Sequence, residues 1–424
     1  MAVINDLGNG TDAGANFYKV IIDGAVYTEQ VKMLSGENTY TLASGLTSET
    51  HDLKLIKITE GASGTSIFKG FTVEGGTQTL LDLPSKSNKR IEFIGDSWTC
   101  GFGNLSQYAT GNESMTISNY IAKNEDNYYA WGPKSARALN AQYQVTASSG
   151  RGLYRNNTGS TNNTLPLNYD YILEDDHTVQ YDHTFNPDII VIHLGTNDLA
   201  LEENGQQYKL DDGVFEKTYL DFISKLLTLH PCTQVIICFG NSKSDSWPTW
   251  TKQLSRLRTI ADNIINIHNK GNVTKLELPY TAEKWTGNSA EDCGYGDAWH
   301  PSLCSHEEMS QKLVEKITSM NLNWGNQSNC PTLADTSLWM NTHLNATPIN
   351  SKKKNLIAYP NPTTAELFIS DTIAVDQWSI SNIQGGILKI GVNRKINVSD
   401  LKPGVYLLSV RNDHNNKVIR IVKK

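Results

Sequence analysis

Three stretches constrain this chain more than anything else in it: IEFIG at 91–95, DIIVIHLG at 188–195 and TQVIICFG at 233–240. Each is apolar on nearly every residue rather than on alternate ones, and each ends in glycine. Alternation marks a strand with one wet face. Near-continuous apolarity marks a parallel strand covered on both faces by helices. Stretches of helical spacing fall between and after these runs, around Tyr128–Leu139, along Phe215, Tyr219, Phe222, Ile223 and Leu226, along Leu254, Leu257, Ala261, Ile264 and His268, and from about Ser305 onward. The alternation predicts a doubly wound parallel α/β sheet. Sites in such sheets lie outside the carboxyl ends of the strands.

The flanks read differently. Residues 1–88 carry short apolar or alternating runs (FYKVIIDG, NTYTLASG, HDLKLIKITEG, IFKGFTVEGG) broken by Gly, Asn and Asp, the pattern of a β-sandwich. The α/β body takes residues 89–324, and 325–352 have a linker's composition. Residues 353–424, with LFIS, WSISNIQG, GVYLLSV and KVIRIVKK, predict a small all-β domain. Charge marks the same division. Residues 351–424 hold 12 Lys and Arg against 5 Asp and Glu, whereas residues 1–350 hold 25 against 39, for a net −7 overall. An acidic main body argues against nucleic acid as a partner, and no apolar run is long enough to span a membrane.

The strand ends carry complementary chemistry. IEFIG delivers Ser97 in GDS, YQVTAS delivers Gly150 in SGRG, DIIVIHLG delivers Asn197 in GTND, and a loop before the last helix delivers Asp297 and His300 in GDAWHPS. A serine hydroxyl needs a base, and histidine suits because its ordinary pKa lies near neutrality. A carboxylate three residues earlier can reach the far ring nitrogen. The Gly150 N–H and the Asn197 amide suit an oxyanion hole. Each residue alone also reads as turn chemistry; the set predicts a nucleophile, base and orienting acid with two oxyanion donors.

GDS, the glycine of SSGRG, GTND and DAWHP resemble the four blocks of the SGNH (GDSL-type) hydrolases. GDSWTCGFGN, SGRGLYRN and LKLIKITEGASGTSIFKGFTVEGG resemble carbohydrate esterase family 2, which pairs a jelly-roll domain with an SGNH esterase domain. That resemblance covers roughly residues 1–320, although the sandwich here begins late. It implies an acetyl xylan esterase-like enzyme acting on acetylated plant polysaccharide through an acyl-enzyme on Ser97, with no cofactor and no metal. Some relatives use a Ser-His dyad, but the Asp-x-x-His spacing is intact here. The alternatives are an SGNH lipase, thioesterase or acyltransferase on another acyl group, or a vestigial glycan-binding protein. The tail, through Tyr359–Pro362 and Gly404–Tyr406, resembles the sorting domain of type IX secretion substrates. It implies that secretion machinery as a partner, export to the surface or medium of a Gram-negative cell, and a compartment that permits disulfides. No signal peptide is visible in MAVINDLGNG.

Trp98 beside Ser97 and Trp299 beside His300 are candidates for a sugar platform, and core packing explains them equally well. Arg151, Tyr154 and Arg155, after the glycine, are candidates for contacts to sugar hydroxyls, and solvated loop residues are the equal alternative. Cys293 and Cys304 bracket a short loop as a disulfide candidate, with free thiols equally open from spacing alone. His193, inside an apolar strand, reads as core.

Overall fold

The computed structural model describes residues 1–73, 81–83, 85–106, 121–173, 176–268, 271–279, 293–325, 358–359, 363–369, 377–382, 387–412 and 415–424. The chain divides into two compact units, Met1–Leu333 and Ala334–Lys424. The 326–352 part of the expected linker lies outside the described residues.

The first unit begins with six strands: β1 (Ala2–Asp6), β2 (Phe17–Ile22), β3 (Ala25–Lys32), β4 (Gly36–Tyr40), β5 (Leu53–Lys57) and β6 (Ser66–Phe71). They form two three-stranded antiparallel sheets, ordered β4-β1-β6 and β3-β2-β5. Ala2, Ile4, Tyr18, Val20, Ile22, Met33 and Leu42 fill the space between them. Strands β1 and β3 are absent from the runs picked out in the sequence. The first is a five-residue segment and the second alternates polar residues on an exposed face.

The α/β body follows in the order β7 (Arg90–Gly95), α1 (Ser97–Cys100), α2 (Trp131–Ala138), β8 (Gln142–Ala147), α3 (Leu165–Asn168), β9 (Tyr171–Leu173), β10 (Asp176–Gln180), β11 (Ile189–His193), α4 (Thr196–Ala200), α5 (Asp212–Leu229), β12 (Gln234–Phe239), α6 (Gln253–His268), β13 (Val273–Glu277) and α7 (Leu303–Ser319). Five strands make one sheet, β13-β12-β11-β7-β8, parallel throughout. The strand order reverses between β7 and β11. In doubly wound sheets that switch point opens a crevice, and here the chain leaves β7 into Ser97 and β11 into Asn197. The apolar runs explain the layering: Ile91, Phe93, Ile189, Val191 and Ile236 pack under Trp131, Met309 and Leu313 from the helices. α7 starts two residues before the expected Ser305 because the Ser302 side chain caps it, accepting from the Ser305 N–H at 3.3 Å.

The second unit holds β14 (Ala358–Tyr359), β15 (Glu366–Ile369), β16 (Gln377–Ser381), β17 (Ile387–Gly391), β18 (Lys395–Asn397), β19 (Gly404–Asn412) and β20 (Asn415–Lys423). They form sheets β14-β15-β18 and β17-β16-β19-β20. Its core is Leu367, Ile369, Trp378, Ile380, Ile396, Val398, Leu408, Val410 and Ile421.

Candidate active site

β7 ends at Gly95, where a Cβ would lie 2.0 Å from Thr99 Oγ1, so only glycine allows α1 to begin so abruptly. Asp96 caps that helix by accepting from the Trp98 N–H at 3.1 Å. Ser97 is therefore the first residue of a four-residue helix, 5% exposed, at the carboxyl end of β7.

His300 Nε2 lies 2.6 Å from Ser97 Oγ. Its Nδ1 faces two main-chain carbonyls, Ala298 O at 2.9 Å and Asp297 O at 3.1 Å. Carbonyl oxygens only accept, so Nδ1 carries the ring proton and Nε2 is left to accept from the serine hydroxyl. Burial lowers the His300 pKa below its ordinary value, against the opposing pull of the Asp96 and Asp297 charges and the two carbonyls. The Phe102 ring, 4.3 Å from the imidazole between centroids, is part of that apolar cover.

The sequence suggested the Asp297 side chain as orienting acid, and the geometry differs. The Asp297 carboxylate accepts from Asn124 Nδ2 at 2.7 Å, while the main chain of residues 297–298 meets the imidazole. A tight turn makes this arrangement: Ala298 and Trp299 have φ of 47° and 65°, left-handed values that L side chains rarely adopt. The turn is fixed from both sides. Asp297 N–H donates to Gly103 O at 3.1 Å, and Cys293 is joined to Cys304 by a disulfide that closes the loop.

The opposite wall comes from β8 and β11. Gly150 has φ 79° in the turn after β8. Neither its N–H nor that of Ser97 has an acceptor among the described residues. Asn197 Nδ2 donates to Arg151 O at 2.8 Å and reaches Asp96 Oδ2 at 3.3 Å, which ties α4 to both neighbouring strand ends. Asp198 is the residue sequence reasoning missed. Fully buried, it accepts from the N–H groups of Leu153, Tyr154 and Arg155 at 2.7–2.8 Å and so shapes the segment after Gly150. Burial pushes its pKa up to about 6, although those donors pull the other way. Its signal was present in GTND, as a carboxylate next to the amide given a role.

Two expected substrate contacts are corrected. Trp98 is 4% exposed and belongs to the core with Phe93 and Trp131, so it offers no platform. Arg155 directs its guanidinium to main-chain carbonyls, Asp198 O and Tyr208 O, both at 2.7 Å. Trp299 is 51% exposed and meets Tyr295 edge to face at 5.4 Å. Arg151 and Tyr154 are half-buried beside the crevice. His193 is buried in β11, hydrogen-bonded to Asn241 Oδ1 at 2.7 Å.

Comparison with known proteins gives three family matches along the chain. Residues 3–84 match Carbohydrate esterase 2 N-terminal, residues 93–306 match the GDSL-like Lipase/Acylhydrolase family, and residues 357–424 match the Secretion system C-terminal sorting domain. The cellulase/esterase CelE of Acetivibrio thermocellus is 30% identical over 311 residues, covering 73% of this chain and 35% of that protein. An acetylxylan esterase / glucomannan deacetylase of Cellvibrio japonicus is 32% identical over 232 residues, covering 53% of this chain and 61% of that one. The chain thus spans about a third and three fifths of the lengths of these relatives. Among solved structures, a family two carbohydrate esterase from Clostridium thermocellum in complex with cellohexaose superposes with TM-score 0.63 at 29% identity, over 75% of this chain and 88% of that one. A family two carbohydrate esterase from Cellvibrio japonicus shares the fold, with TM-score 0.60 at 22% identity over 75% and 84%.

Proposed function

The chain belongs to the GDSL-like lipase/acylhydrolase family, with a carbohydrate esterase 2 N-terminal domain before the catalytic body and a secretion sorting domain after it, and on that premise we propose that it is a secreted serine esterase that removes O-acetyl groups from plant polysaccharides such as acetylated xylan or glucomannan. The observation that carries this reading is the 2.6 Å contact between Ser97 Oγ and an imidazole whose proton is pinned on the far nitrogen. In the proposed reaction Ser97 Oγ attacks the acetyl carbonyl as its proton passes to His300 Nε2. The developing oxyanion takes hydrogen bonds from the Ser97 and Gly150 N–H groups and from the Asn197 amide, which gives up its 3.3 Å contact with Asp96 to do so. Collapse expels the sugar oxygen, which takes the proton from His300. Water, deprotonated by the same imidazole, then releases acetate from Ser97. Asp297 serves through its main-chain carbonyl and its charge. Trp299, exposed beside His300, is the residue to contact sugar, with Arg151 and Tyr154 on the other rim.

The relatives named for acetylxylan and glucomannan support the substrate class. The sorting domain points to type IX secretion and an extracellular or cell-surface location. The test is acetate release from acetylated xylan and glucomannan, alongside turnover of chromogenic acetate, butyrate and octanoate esters. Acetate should be cleaved fastest and acetate should appear from the polymers. A preference for octanoate would overturn deacetylation in favour of a lipase reading.

A further inference from the structure

Glu60 of the sandwich meets the segments around Ser97 and Gly150. Glu60, 8% exposed, follows β5 in the N-terminal sandwich. Its carboxylate oxygen Oε2 accepts from the Ser149 N–H at 2.7 Å, one residue before Gly150. The same oxygen lies 3.6 Å from the Cys100 thiol, three residues after Ser97 at the end of α1. Burial, with the nearby Glu60, Glu125 and Asp96 charges, keeps that thiol protonated and therefore a donor. Glu60 is itself held: its N–H donates to Glu125 Oε1 at 2.7 Å, and Lys57 Nζ donates to its carbonyl at 3.0 Å.

The position of this clamp matters. The nucleophile and the glycine follow two neighbouring parallel strands, β7 and β8, whose pairing ends at Gly95 with Ala147. Beyond it the two segments share a 3.3 Å contact from Ser148 N–H to Gly95 O, and the turn's own Arg151 N–H to Ser148 O contact is 3.4 Å. Both are long for main-chain hydrogen bonds. The 2.7 Å bond to Glu60 is shorter than either.

We propose that Glu60 is a positioning residue: the sandwich domain supplies the carboxylate that fixes the spacing between the Ser97 helix and the Gly150 oxyanion loop. The sandwich is on this view part of the catalytic apparatus. The proposal rests on the serine esterase reading for its kinetic consequence and on geometry alone for the clamp. Trp299 lies on the His300 side of the crevice, while Arg151 and Tyr154 follow the clamped turn, so losing the clamp lowers kcat by more than it raises KM, because misplacing an oxyanion donor is felt only in the transition state.

The experiment compares Glu60→Ala, Glu60→Asp and Glu60→Gln in the full chain, with Ser97→Ala as control. Gln keeps an oxygen acceptor at the same reach. Asp keeps the charge but retreats by one methylene, and it serves if the Ala variant fails to fold. Ala and Asp are expected to lose on the order of 10- to 100-fold in kcat with a smaller change in KM, the scale of a ~1 Å misplacement, while Gln retains most of it. Amide exchange at Ser149 is the second readout: protection lost in Ala and Asp, kept in Gln. Folded Ala and Asp enzymes with wild-type kcat, or with Ser149 protection unchanged, overturn the clamp. A Ser97→Ala enzyme as active as wild type overturns the esterase reading instead, and the exchange measurement still decides the clamp.

Discussion

Two all-β modules flank the α/β body, and they are built to different ends. The first shares its interior with the body. Ala15, Phe17 and Ile58 of the sandwich form one buried cluster with Ala122, and Tyr128 packs against it. Lys19, buried in β2, pairs with Asp126 of the body at 3.0 Å and lies over the Tyr129 ring at 4.3 Å. Asn127 N–H donates to Ile58 O at 2.9 Å. Among the described residues the last module has a core cluster of its own, from Leu367 to Ile421. Both are built from antiparallel strands, so being all-β says nothing about dependence. What the first has is a buried charge, Lys19, whose partner Asp126 lies in the body. A buried ion pair across a seam ties two domains into one unit; a self-contained core with surface charge makes a detachable one.

The largest effect tests whether chemistry is confined to the first unit. Ser97→Ala and His300→Ala should each reduce ester hydrolysis by on the order of 10³-fold or more while circular dichroism stays unchanged. Wild-type-like turnover in either would remove the site from this crevice.

Next comes the seam. Burial works against the Lys19 charge, yet the Asp126 and Glu29 carboxylates outweigh it and raise its pKa. Asp126 is in turn pushed up to about 6 by burial, with Lys19 pulling it down. Lys19→Met therefore strands a buried carboxylate and should cost about 3–5 kcal/mol, as breaking buried pairs does. Urea unfolding followed by both fluorescence and activity measures it. The two probes should fall together, and a loss confined to the sandwich, with activity surviving to the wild-type midpoint, would uncouple the modules and break the contrast.

A smaller effect concerns Asp297. In enzymes where the carboxylate orients the imidazole, its amide replacement costs on the order of 10⁴ in kcat. Here carbonyls 2.9 and 3.1 Å from Nδ1 hold the tautomer, so Asp297→Asn should cost about tenfold or less. The pH profile gives the sign. Burial lowers the His300 pKa and the Asp297 charge raises it. The base must be neutral, so the acid limb of kcat/KM should lie below pH 6.5 in the wild type. In Asp297→Asn, with the raising charge gone, it should move to lower pH still. An upward shift, or a loss near 10⁴, would return the orienting role to the side chain.

Much of this was legible in the sequence. The apolar runs 91–95, 188–195 and 233–240 each became a central parallel strand, since continuous apolarity has few other uses in a water-soluble domain. The positions of Ser97 and Asn197 follow from the first two of those strand ends. What could not be read was main-chain chemistry and long-range polar pairing. The Asp-x-x-His spacing says two side chains are near, but the left-handed φ at Ala298 and Trp299 turns the carbonyls toward the ring. Trp98 looked like a rim residue because it neighbours Ser97, yet successive residues of a helix point in different directions. Lys19 and Glu60 carry no local pattern, and their partners lie 107 and 89 residues away in the chain.

The smallest expected effect is on the last module, and it is the sharpest half of the contrast. A chain ending at Leu333, the boundary of the first unit, should keep kcat and KM within about twofold, because every proposed catalytic group lies in that unit. The +7 balance of residues 351–424 gives the module a surface unlike the acidic body and leaves no reason for the crevice to depend on it. Its proposed work is export. In the native host the shortened enzyme should gather in the periplasm with full specific activity, whereas the intact chain reaches the surface or medium. Fractionation with an ester assay on each fraction decides both points at once. Lost activity in a folded truncated enzyme would make the module part of the substrate site; normal export would strip it of the sorting role.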